Sequence, residues 1–280
     1  MIMKRIKQIS IWLIALAGLM TALGAAAQNS GNLTPSLQWN YHAGTQTLSI
    51  TGTGAMPDYA SHNDQPWKAF RGQIKIVTIG NGVTAIGSCA FSGCTALQRV
   101  NLRASLTAIG DAAFYACTAL QSIALPAGVT AIGERAFNSC ITLQSIALPA
   151  GLTTIGEDAF DNCVALQSII LPARVTTIGK RAFAGCKVLQ SITLPKGVTT
   201  IGKYAFAGCT ALQQVTVAWD KPRSVPDDTF DGVHTANVRL NVPKGKEEAY
   251  RAAPVWKEFK VGDTEPPVPG DGGKLTVSVS

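Results

Sequence analysis

The sequence predicts a repeat solenoid in which each 23-residue coil contributes one short parallel strand, with turns or short helical segments between the strands. Phenylalanine and cysteine both recur every 23 residues, and a fixed period of roughly 20–50 residues is typical of stacked units. Each unit contains the pattern Leu-x-x-Ile-x-Leu-Pro, as at residues 143–149, and this alternation indicates a strand that proline ends. The 27 glycines favour short elements joined by turns over long helices.

Residues 1–27 predict a cleavable export signal. Basic residues at 4–7, an apolar run at 9–24 and three alanines at 25–27 follow the order that such signals have. A retained membrane anchor is the alternative, because an apolar run can also span a bilayer. No second run of spanning length follows in the sequence. We therefore expect an exported protein, secreted or at the cell surface, whose mature chain has no transmembrane anchor.

The charge of the chain argues against one class of partner. The formal net charge of +7 includes three basic residues of the predicted signal, and the remaining positive charge is modest and dispersed. Nucleic-acid binding relies on a clustered basic surface. We therefore expect no nucleic-acid partner.

Stacking of the coils converts each repeated position into a column of equivalent side chains. The phenylalanine ring is expected to fill the centre of the coil, beside the cysteine that follows it. Incomplete coils before and after the regular ones bring the predicted number to seven or eight. The phenylalanine column comprises Phe91, Phe114, Phe137, Phe160, Phe183 and Phe206, and the cysteine column comprises Cys94, Cys117, Cys140, Cys163, Cys186 and Cys209.

The ends of an open solenoid need covering, because they expose apolar side chains and unpaired strand edges. Alternating Leu48 and Ile50 predict a β-rich N-terminal cap in which Trp39 and Trp67 pack, with a sugar-stacking role for these two rings as the alternative. Residues 246–252 predict a short helix in a C-terminal cap. The predicted segments are the signal at 1–27, the N-terminal cap at 28–72, the solenoid at 73–243, the C-terminal cap at 244–262 and a flexible linker or tail at 263–280.

The repeat unit resembles that of a known family. The pattern L-x-x-I-x-L-P-x-x-V-x-x-I-G-x-x-A-F-x-x-C, from Leu120 to Cys140, is similar to the leucine-rich repeat of the BspA-like class, also called the Treponema pallidum type. The resemblance covers about residues 74–217. It implies a leucine-rich repeat solenoid in a bacterial secreted or cell-surface protein that engages host proteins or other cells, since members of the class are associated with adhesion. It supplies no binding residue, because the matching positions belong to the core.

The cysteine column is predicted to be structural. Zinc sites need clustered ligands, and His42, His62 and His234 all lie outside the repeats. Parallel side chains of stacked coils hold their Cβ atoms about 4.8 Å apart, whereas a disulfide prefers about 3.8 Å. We therefore expect buried, unpaired thiols that fill space, with disulfides as the alternative in an oxidising compartment. Cys89, the seventh cysteine, falls in a surface column.

Other columns carry polar side chains. Arg135, Asp158 and Arg181 alternate in charge and are expected to pair along the axis. An acidic strip, with calcium binding as the alternative to a solvated surface, comprises Asp111, Glu134 and Glu157, with Asp158 or Asp161 nearby. A ladder of side-chain amide hydrogen bonds is predicted for Gln98, Gln121, Gln144, Gln167, Gln190 and Gln213.

The outward face of the strands is the candidate binding surface. Its side chains are small and mostly neutral, which suits broad contact with a protein or glycan and offers no acid, base or nucleophile in a pocket. We predict a non-catalytic binding protein with no cofactor and no metal, whose partner is an extracellular protein or cell-surface ligand. The candidate residues are Arg99, Asn101, Ser122, Ser145, Ser168, Ile170, Ser191, Thr193, Gln214 and Thr216.

Two alternative functions stay open. One is a glycan-binding module of a surface capture system, which would use exposed aromatic side chains such as Tyr204 and Trp219. The other is a structural spacer that only displays its termini. Both fit a repeat solenoid, because a fold of this kind hosts many activities.

Overall fold

The structure is a computed structural model that describes residues 29–263. The predicted export signal at 1–27 and residues 264–280 of the predicted tail lie outside the described residues. The described chain forms a parallel solenoid of about eight coils with few helices. This architecture confirms the predicted fold class.

An antiparallel sheet opens the described chain and becomes the start of the stack. β1 (Ser30–Thr34) pairs antiparallel with β2 (Leu37–His42), which pairs antiparallel with β3 (Thr47–Gly52). β3 then pairs in parallel with β5 (Ile76–Ile79). The N-terminal sheet therefore covers one end of the solenoid and also supplies its first strand.

Strands lie on two sides of the coil. The first side carries the Leu-x-x-Ile-x-Leu segments, and we call its outward surface the strand face. The second side carries shorter strands just before the Ala-Phe pair of each repeat. After β3 and β5, the first-side strands are β7 (Arg99–Asn101), β9 (Ser122–Ala124), β11 (Ser145–Ala147), β14 (Ser191–Leu194), β16 (Gln214–Val217), β17 (Arg239–Val242) and β18 (Lys260–Asp263). The second-side strands are β4 (Gly54–Ala55), β6 (Val83–Ile86), β8 (Ala108–Ile109), β10 (Ala131–Ile132), β12 (Thr154–Ile155), β13 (Thr177–Ile178) and β15 (Thr200–Ile201).

Equivalent residues of successive coils face one another on both sides. Ser145 is opposite Ser122 on the first side, and Thr177 is opposite Thr154 on the second. Both pairs are 23 residues apart, as the repeat predicts. The second-side strands form one seven-stranded sheet from β4 to β15, whereas the first-side strands fall into separate groups.

The rings of the phenylalanine column stack along the solenoid. All six are fully buried, and the centroids of neighbouring rings lie 5.3–5.5 Å apart. Phe230 extends the column at one end, 5.4 Å from Phe206, and Trp67 extends it at the other, 5.7 Å from Phe91. The periodic pattern did not predict this place for Trp67, which lies 24 residues before Phe91 instead of 23.

Aromatic side chains close both ends of the column edge-on. Trp39 contacts Trp67 in a T-shaped arrangement with centroids 5.9 Å apart, and Phe259 contacts Phe230 in the same way at 5.0 Å. The indole Nε1 of Trp67 donates a hydrogen bond of 3.2 Å to the Ala90 carbonyl. Both tryptophans of the N-terminal cap are buried. Their predicted packing role is confirmed, and the sugar-stacking alternative is wrong for them.

The C-terminal cap combines the predicted helix with a strand that the sequence pattern missed. α1 (Glu247–Ala252) follows β17, and a short 3-10 helix follows at Trp256–Glu258. The chain then returns as β18, which pairs in parallel with β17. This return takes 21 residues, from Arg239 to Lys260, and lacks the repeat pattern. A search for the 23-residue period therefore cannot find it.

The cysteine column lies in the core beside the rings. All seven cysteines fall within the described residues and none forms a disulfide, which confirms the predicted unpaired thiols. From Cys117 onward, each column thiol donates a hydrogen bond to the phenylalanine carbonyl of the preceding coil, as from Cys163 to Phe137 at 3.2 Å. Burial raises the pKa of the Cys140 thiol to about 12. The sulfur therefore fills space and also satisfies a buried carbonyl.

Candidate binding surfaces

The ten residues predicted for the binding face all lie on the outward surface of the first side. Eight belong to strands, whereas Ser168 and Ile170 belong to a segment at the same place in the coil that forms no strand. Nine are exposed and Thr216 is half-buried. The residues between them, such as Ile123 and Ile146, point into the core. The predicted alternation is therefore present, and the candidate residues share one surface of the solenoid.

The sheet beneath this surface is interrupted at residues 168–171. In the equivalent segments on either side, β9 pairs with β11 and β14 pairs with β16. Within the described chain, no backbone hydrogen bond joins residues 168–171 to a neighbouring coil. Their N–H and C=O groups, and the facing edges of β11 and β14, therefore lack a strand partner.

Strand pairing on the first side falls into groups, with breaks between β7 and β9 and between β11 and β14. The phenylalanine rings keep a spacing of 5.3–5.5 Å across paired and unpaired segments alike. The same coils also carry the unbroken second-side sheet. The ring spacing therefore does not account for the position of the gap.

A groove of about 710 Å³ opens at the gap. Its lining comes from three coils, within residues 122–124, 145–150 and 168–173, and contains only serine, proline and apolar residues in the described structure. Ile170 lies in this lining and is 82% exposed, the highest value among the large apolar side chains described. The equivalent residue in the preceding coil is Ala147. The strand face therefore has an uncharged apolar centre.

The predicted ladder of glutamine side chains is wrong. The glutamines of this column are exposed, and no hydrogen bond joins their amide groups anywhere in residues 29–263. At this position the hydrogen bonds between coils join backbone groups. For example, the Gln144 N–H donates to the Gln121 carbonyl at 2.8 Å. Water is available to the exposed amides, so a ladder would add little free energy.

The turns around the Ala-Phe pairs form a second surface, which we call the turn face. The residue before each pair has a left-handed backbone conformation, with φ from 50° to 59° in the six regular coils. For a residue other than glycine this conformation costs of the order of 1–2 kcal/mol. Hydrogen bonds between coils offset the cost, as from the Arg135 N–H to the Glu157 carbonyl at 2.8 Å.

Arginines and aspartates pair along the turn face as predicted. The nearly buried Asp158 lies between two arginines, with its Oδ2 3.2 Å from Arg135 Nε and its Oδ1 3.3 Å from Arg181 Nε. Asp161 is also nearly buried, and its Oδ2 accepts hydrogen bonds from Arg181, Asn138 and Asn162. Burial raises the pKa of Asp161, and Arg181 opposes the shift.

Two shallow depressions adjoin on the turn face. One, of about 540 Å³, includes Tyr115 and reaches back to His62, and the other, of about 450 Å³, includes Tyr204. Asp161 and Asn162 line both. We call the combined depression the turn-face trough.

The two aromatic residues considered for glycan binding have different surroundings. Tyr204 is partly exposed and lines the turn-face trough. Trp219 is buried and packs edge-on against Trp256, with centroids 5.8 Å apart. Its Nε1 donates a hydrogen bond of 3.1 Å to the Pro195 carbonyl. The prediction of Trp219 as an exposed platform is wrong, because the residue is buried against the C-terminal cap.

The acidic strip makes local contacts. The Oδ1 of Asp111 accepts a hydrogen bond of 2.8 Å from the Glu134 N–H, and Glu157 forms an ion pair of 2.9 Å with Lys180. Within residues 29–263, no group of three or more histidine, cysteine or acidic side chains is arranged to hold a metal ion.

Cys89 differs from the column cysteines in its surroundings. It is half-buried, lines the turn-face trough, and its carbonyl accepts a hydrogen bond of 2.6 Å from Gln65 Nε2. Burial and then the negative charge of Asp111 raise the pKa of its thiol. The thiol is therefore partly accessible but mostly protonated near neutral pH.

Comparison with protein families identifies the repeat. The model of the BspA type leucine-rich repeat region, in six copies, matches residues 67–188 and 153–251. The chain belongs to the BspA-type leucine-rich repeat family. Comparison with curated proteins finds no match to this chain.

Solved structures of other leucine-rich repeat proteins resemble this chain. The leucine-rich repeat protein of T. pallidum is 28% identical, with a TM-score of 0.51 over 65% of this chain and 91% of that chain. A leucine-rich repeat protein from Bacteroides ovatus is 21% identical, with a TM-score of 0.42 over 75% and 70% of the two chains. The pneumococcal vaccine antigen PcpA is 13% identical, with a TM-score of 0.43 over 83% and 98%.

The BspA-type repeat specifies the residues at the core positions and does not specify those at the exposed positions. Leucine, isoleucine, phenylalanine and cysteine recur because each coil must fill the same space. Ile170, Asp161 and Tyr204 lie at positions that change from coil to coil. A leucine-rich repeat solenoid is typically a non-catalytic scaffold, so its binding properties reside in such positions. Among the described residues, no helix has the length and apolar character needed to cross a membrane.

Proposed function

We propose that this BspA-type protein is exported and binds an extracellular protein ligand through its strand face, in the manner of an adhesin. The predicted signal at 1–27, outside the described residues, supports export, and the family supports a binding or scaffold role. The observation that carries the proposal is the groove at residues 168–171. Apolar surface and unpaired backbone groups meet there.

An apolar side chain of a protein ligand suits this groove. The coils on both sides of residues 168–171 stay stacked, with ring centroids 5.3–5.5 Å apart, so an added strand, which needs about 4.8 Å on each side, has no room between them. The side chain of Ile170 supplies apolar contact to such a ligand on the outward surface. The lining carries no charge, so we expect binding to depend only weakly on salt.

The groove forms the centre of a larger contact. A stable protein interface buries about 1,600 Å² in total, which is more area than one groove of this kind provides. The flanking exposed residues, such as Ser145, Ser168 and Thr193, are expected to form a polar rim around Ile170. An apolar centre with a polar rim is the usual arrangement of a protein interface.

Binding of the purified protein to immobilised matrix proteins and to intact host and bacterial cells tests the proposal. I170K places a charge at the centre of the groove and should weaken binding by about tenfold or more. I141K is the matched control, because Ile141 is also exposed, at 43%, but lies on a turn. It should leave binding unchanged.

Two results would remove the adhesin function. The first is no binding to any of these surfaces above background. The second is binding that I170K leaves unchanged, along with lysine substitutions at Ser145 and Thr193. The first result favours a scaffold that only displays other parts of the chain, and the second assigns the binding to a surface other than the strand face.

A further inference from the structure

The turn-face trough takes no part in the proposed strand-face interaction and differs from it in chemistry. Its two depressions share Asp161 and Asn162, so together they cross several coils. The trough is lined by positions on either side of the Ala-Phe pair, which vary from coil to coil while the core positions repeat. The groups that line the depression therefore differ along the solenoid, although Ala184-Gly185 and Ala207-Gly208 are the same in two coils.

An exposed tyrosine lines each depression. Tyr115 and Tyr204 are each 38% exposed. Within the part of the chain that the structure describes, neither phenol has a hydrogen-bond partner and neither ring packs on another aromatic ring. They lie about four coils apart, which corresponds to of the order of 20 Å at the spacing of stacked strands. An exposed tyrosine offers a flat apolar ring with a polar tip.

Between the two tyrosines lies a carboxylate with one oxygen available. The side chain of Asp161 is 8% exposed, and its Oδ2 accepts hydrogen bonds of 3.2–3.3 Å from Asn138, Asn162 and Arg181. Across residues 29–263, Asp161 Oδ1 has no hydrogen-bond partner, although the residue lines both depressions. Among the described residues, the buried side-chain atoms without a hydrogen-bond partner, such as Asp158 Oδ1, do not include this oxygen, so it is open to water in the trough. A hydroxyl group of a ligand can take the place of that water as a donor.

The charges that line the trough balance. Arg135 and Arg181 are the basic residues of the lining, and Asp161 and Asp231 are the acidic ones. Both arginines already form ion pairs with Asp158. A ligand with a net charge therefore finds no unpaired charge cluster here, whereas a neutral ligand rich in hydroxyl groups finds both donors and acceptors.

We propose that the turn-face trough binds a neutral oligosaccharide that extends over several coils. Tyr115 and Tyr204 stack against sugar rings, and Asp161 Oδ1 accepts a hydrogen bond from a hydroxyl group between them. The amide of Asn162 and the guanidinium of Arg181 bind further hydroxyl groups. The polar groups spread along the open trough supply donors and acceptors over the length of an extended ligand.

An array of neutral and acidic oligosaccharides, incubated with the full purified protein, tests this inference. We expect binding to neutral members of the array, followed by calorimetric titration of the strongest one. Y204A and Y115A should each weaken that binding about three- to tenfold, the loss that a ring contact accounts for. Y204F keeps the ring and should retain most of the affinity.

Controls separate this site from the strand face and from loss of folding. I141A changes an exposed side chain outside the trough, and I170K changes the strand face, so both should bind the oligosaccharide as the unmodified protein does. Circular dichroism shows whether each variant is folded. No binding to any neutral oligosaccharide overturns the inference. So does binding that Y115A and Y204A both leave unchanged, or binding restricted to acidic sugars.

Discussion

The ring of Phe137 lies parallel to the ring of Phe160, with centroids 5.5 Å apart and planes 2° apart. Each inner ring of the column has such a neighbour on both faces, so it belongs to the core of three coils at once. The same register brings each column cysteine from Cys117 onward to the phenylalanine carbonyl of the preceding coil. The aromatic column therefore sets both the spacing and the register of the solenoid.

F137A should destabilise the protein by about 3–5 kcal/mol, the usual cost of truncating a buried phenylalanine. Phe137 is fully buried and contacts a ring on each face, so the cavity cannot close without moving neighbouring coils. Urea unfolding followed by circular dichroism measures the change. I141A, at an exposed position of the same coil, should change the free energy of unfolding by less than about 0.5 kcal/mol. A loss under about 1 kcal/mol for F137A would contradict a central role for the column.

The solenoid core could be predicted from the sequence because each coil fills the same space with the same residues. Phe137 and Cys140 recur because only their size and shape fill the coil centre. β18 could not be predicted, because its return takes 21 residues and carries no repeat signature. The place of Trp67 in the ring column was missed for a similar reason, since it lies 24 residues before Phe91 and the repeat has 23 residues.

The surfaces were predictable only in part. Alternation along the strand fixes which side chains point outward, so Ser145 and Ile170 could be placed on the strand face. The gap at residues 168–171 could not, because Ser-Ile-Ile-Leu has the composition of a strand. The turn-face trough is lined in part by left-handed residues of the turns, such as Arg135. Local sequence gives no signal for that conformation when the residue is not glycine.

Cysteine labelling should separate Cys89 from the six column cysteines. In the folded protein near about pH 8, a maleimide should modify Cys89 slowly and leave the column thiols unmodified, because reaction needs an accessible thiolate. Burial raises the pKa of Cys94 and Cys209 to about 12. Mass spectrometry of the digested protein identifies the labelled residues. In denaturant all seven cysteines should react, and labelling of a column cysteine as fast as Cys89 would contradict the buried column.

The same thiols should make the protein less stable in alkaline solution. Burial raises the pKa of the Cys140 thiol from 9.0 to about 12. Below about pH 9 both states keep the proton and the stabilisation is fully present. Between the two pKa values the unfolded chain releases a proton that the folded chain keeps, so the free energy of unfolding falls as pH rises.

Denaturation at a series of pH values measures this slope, and C140A isolates one thiol. The variant releases one proton fewer on unfolding between about pH 9 and 11. The free energy of unfolding should therefore fall less steeply with pH, by about 1.4 kcal/mol per pH unit. I141A retains all six column thiols and should keep the full slope. Equal slopes for C140A and the unmodified protein would show that the Cys140 thiol ionises as readily in the folded state as in the unfolded state.

Removal of Arg181 should cost more stability than removal of Arg135. Arg181 contacts both Asp158 and Asp161, whereas Arg135 contacts Asp158 alone. Both aspartates are nearly buried, so R181M leaves two carboxylates with fewer donors. Because the side chain of Arg181 is 47% exposed, solvent screens the interaction. We expect a loss of about 1–2 kcal/mol for R181M and under about 1 kcal/mol for R135M.

The pH dependence distinguishes loss of charge pairing from loss of packing. Burial raises the pKa of Asp161 and Arg181 lowers it, so R181M should raise it further. Protonation in acid then removes the unpaired charge, and the loss caused by R181M should shrink as the pH falls from about 7 to 4. Urea unfolding of both variants at the two pH values measures this. A loss that stays constant with pH would mean that the packing of the Arg181 side chain and not its charge supports the turn face. An equal loss for R135M would contradict the larger role of Arg181.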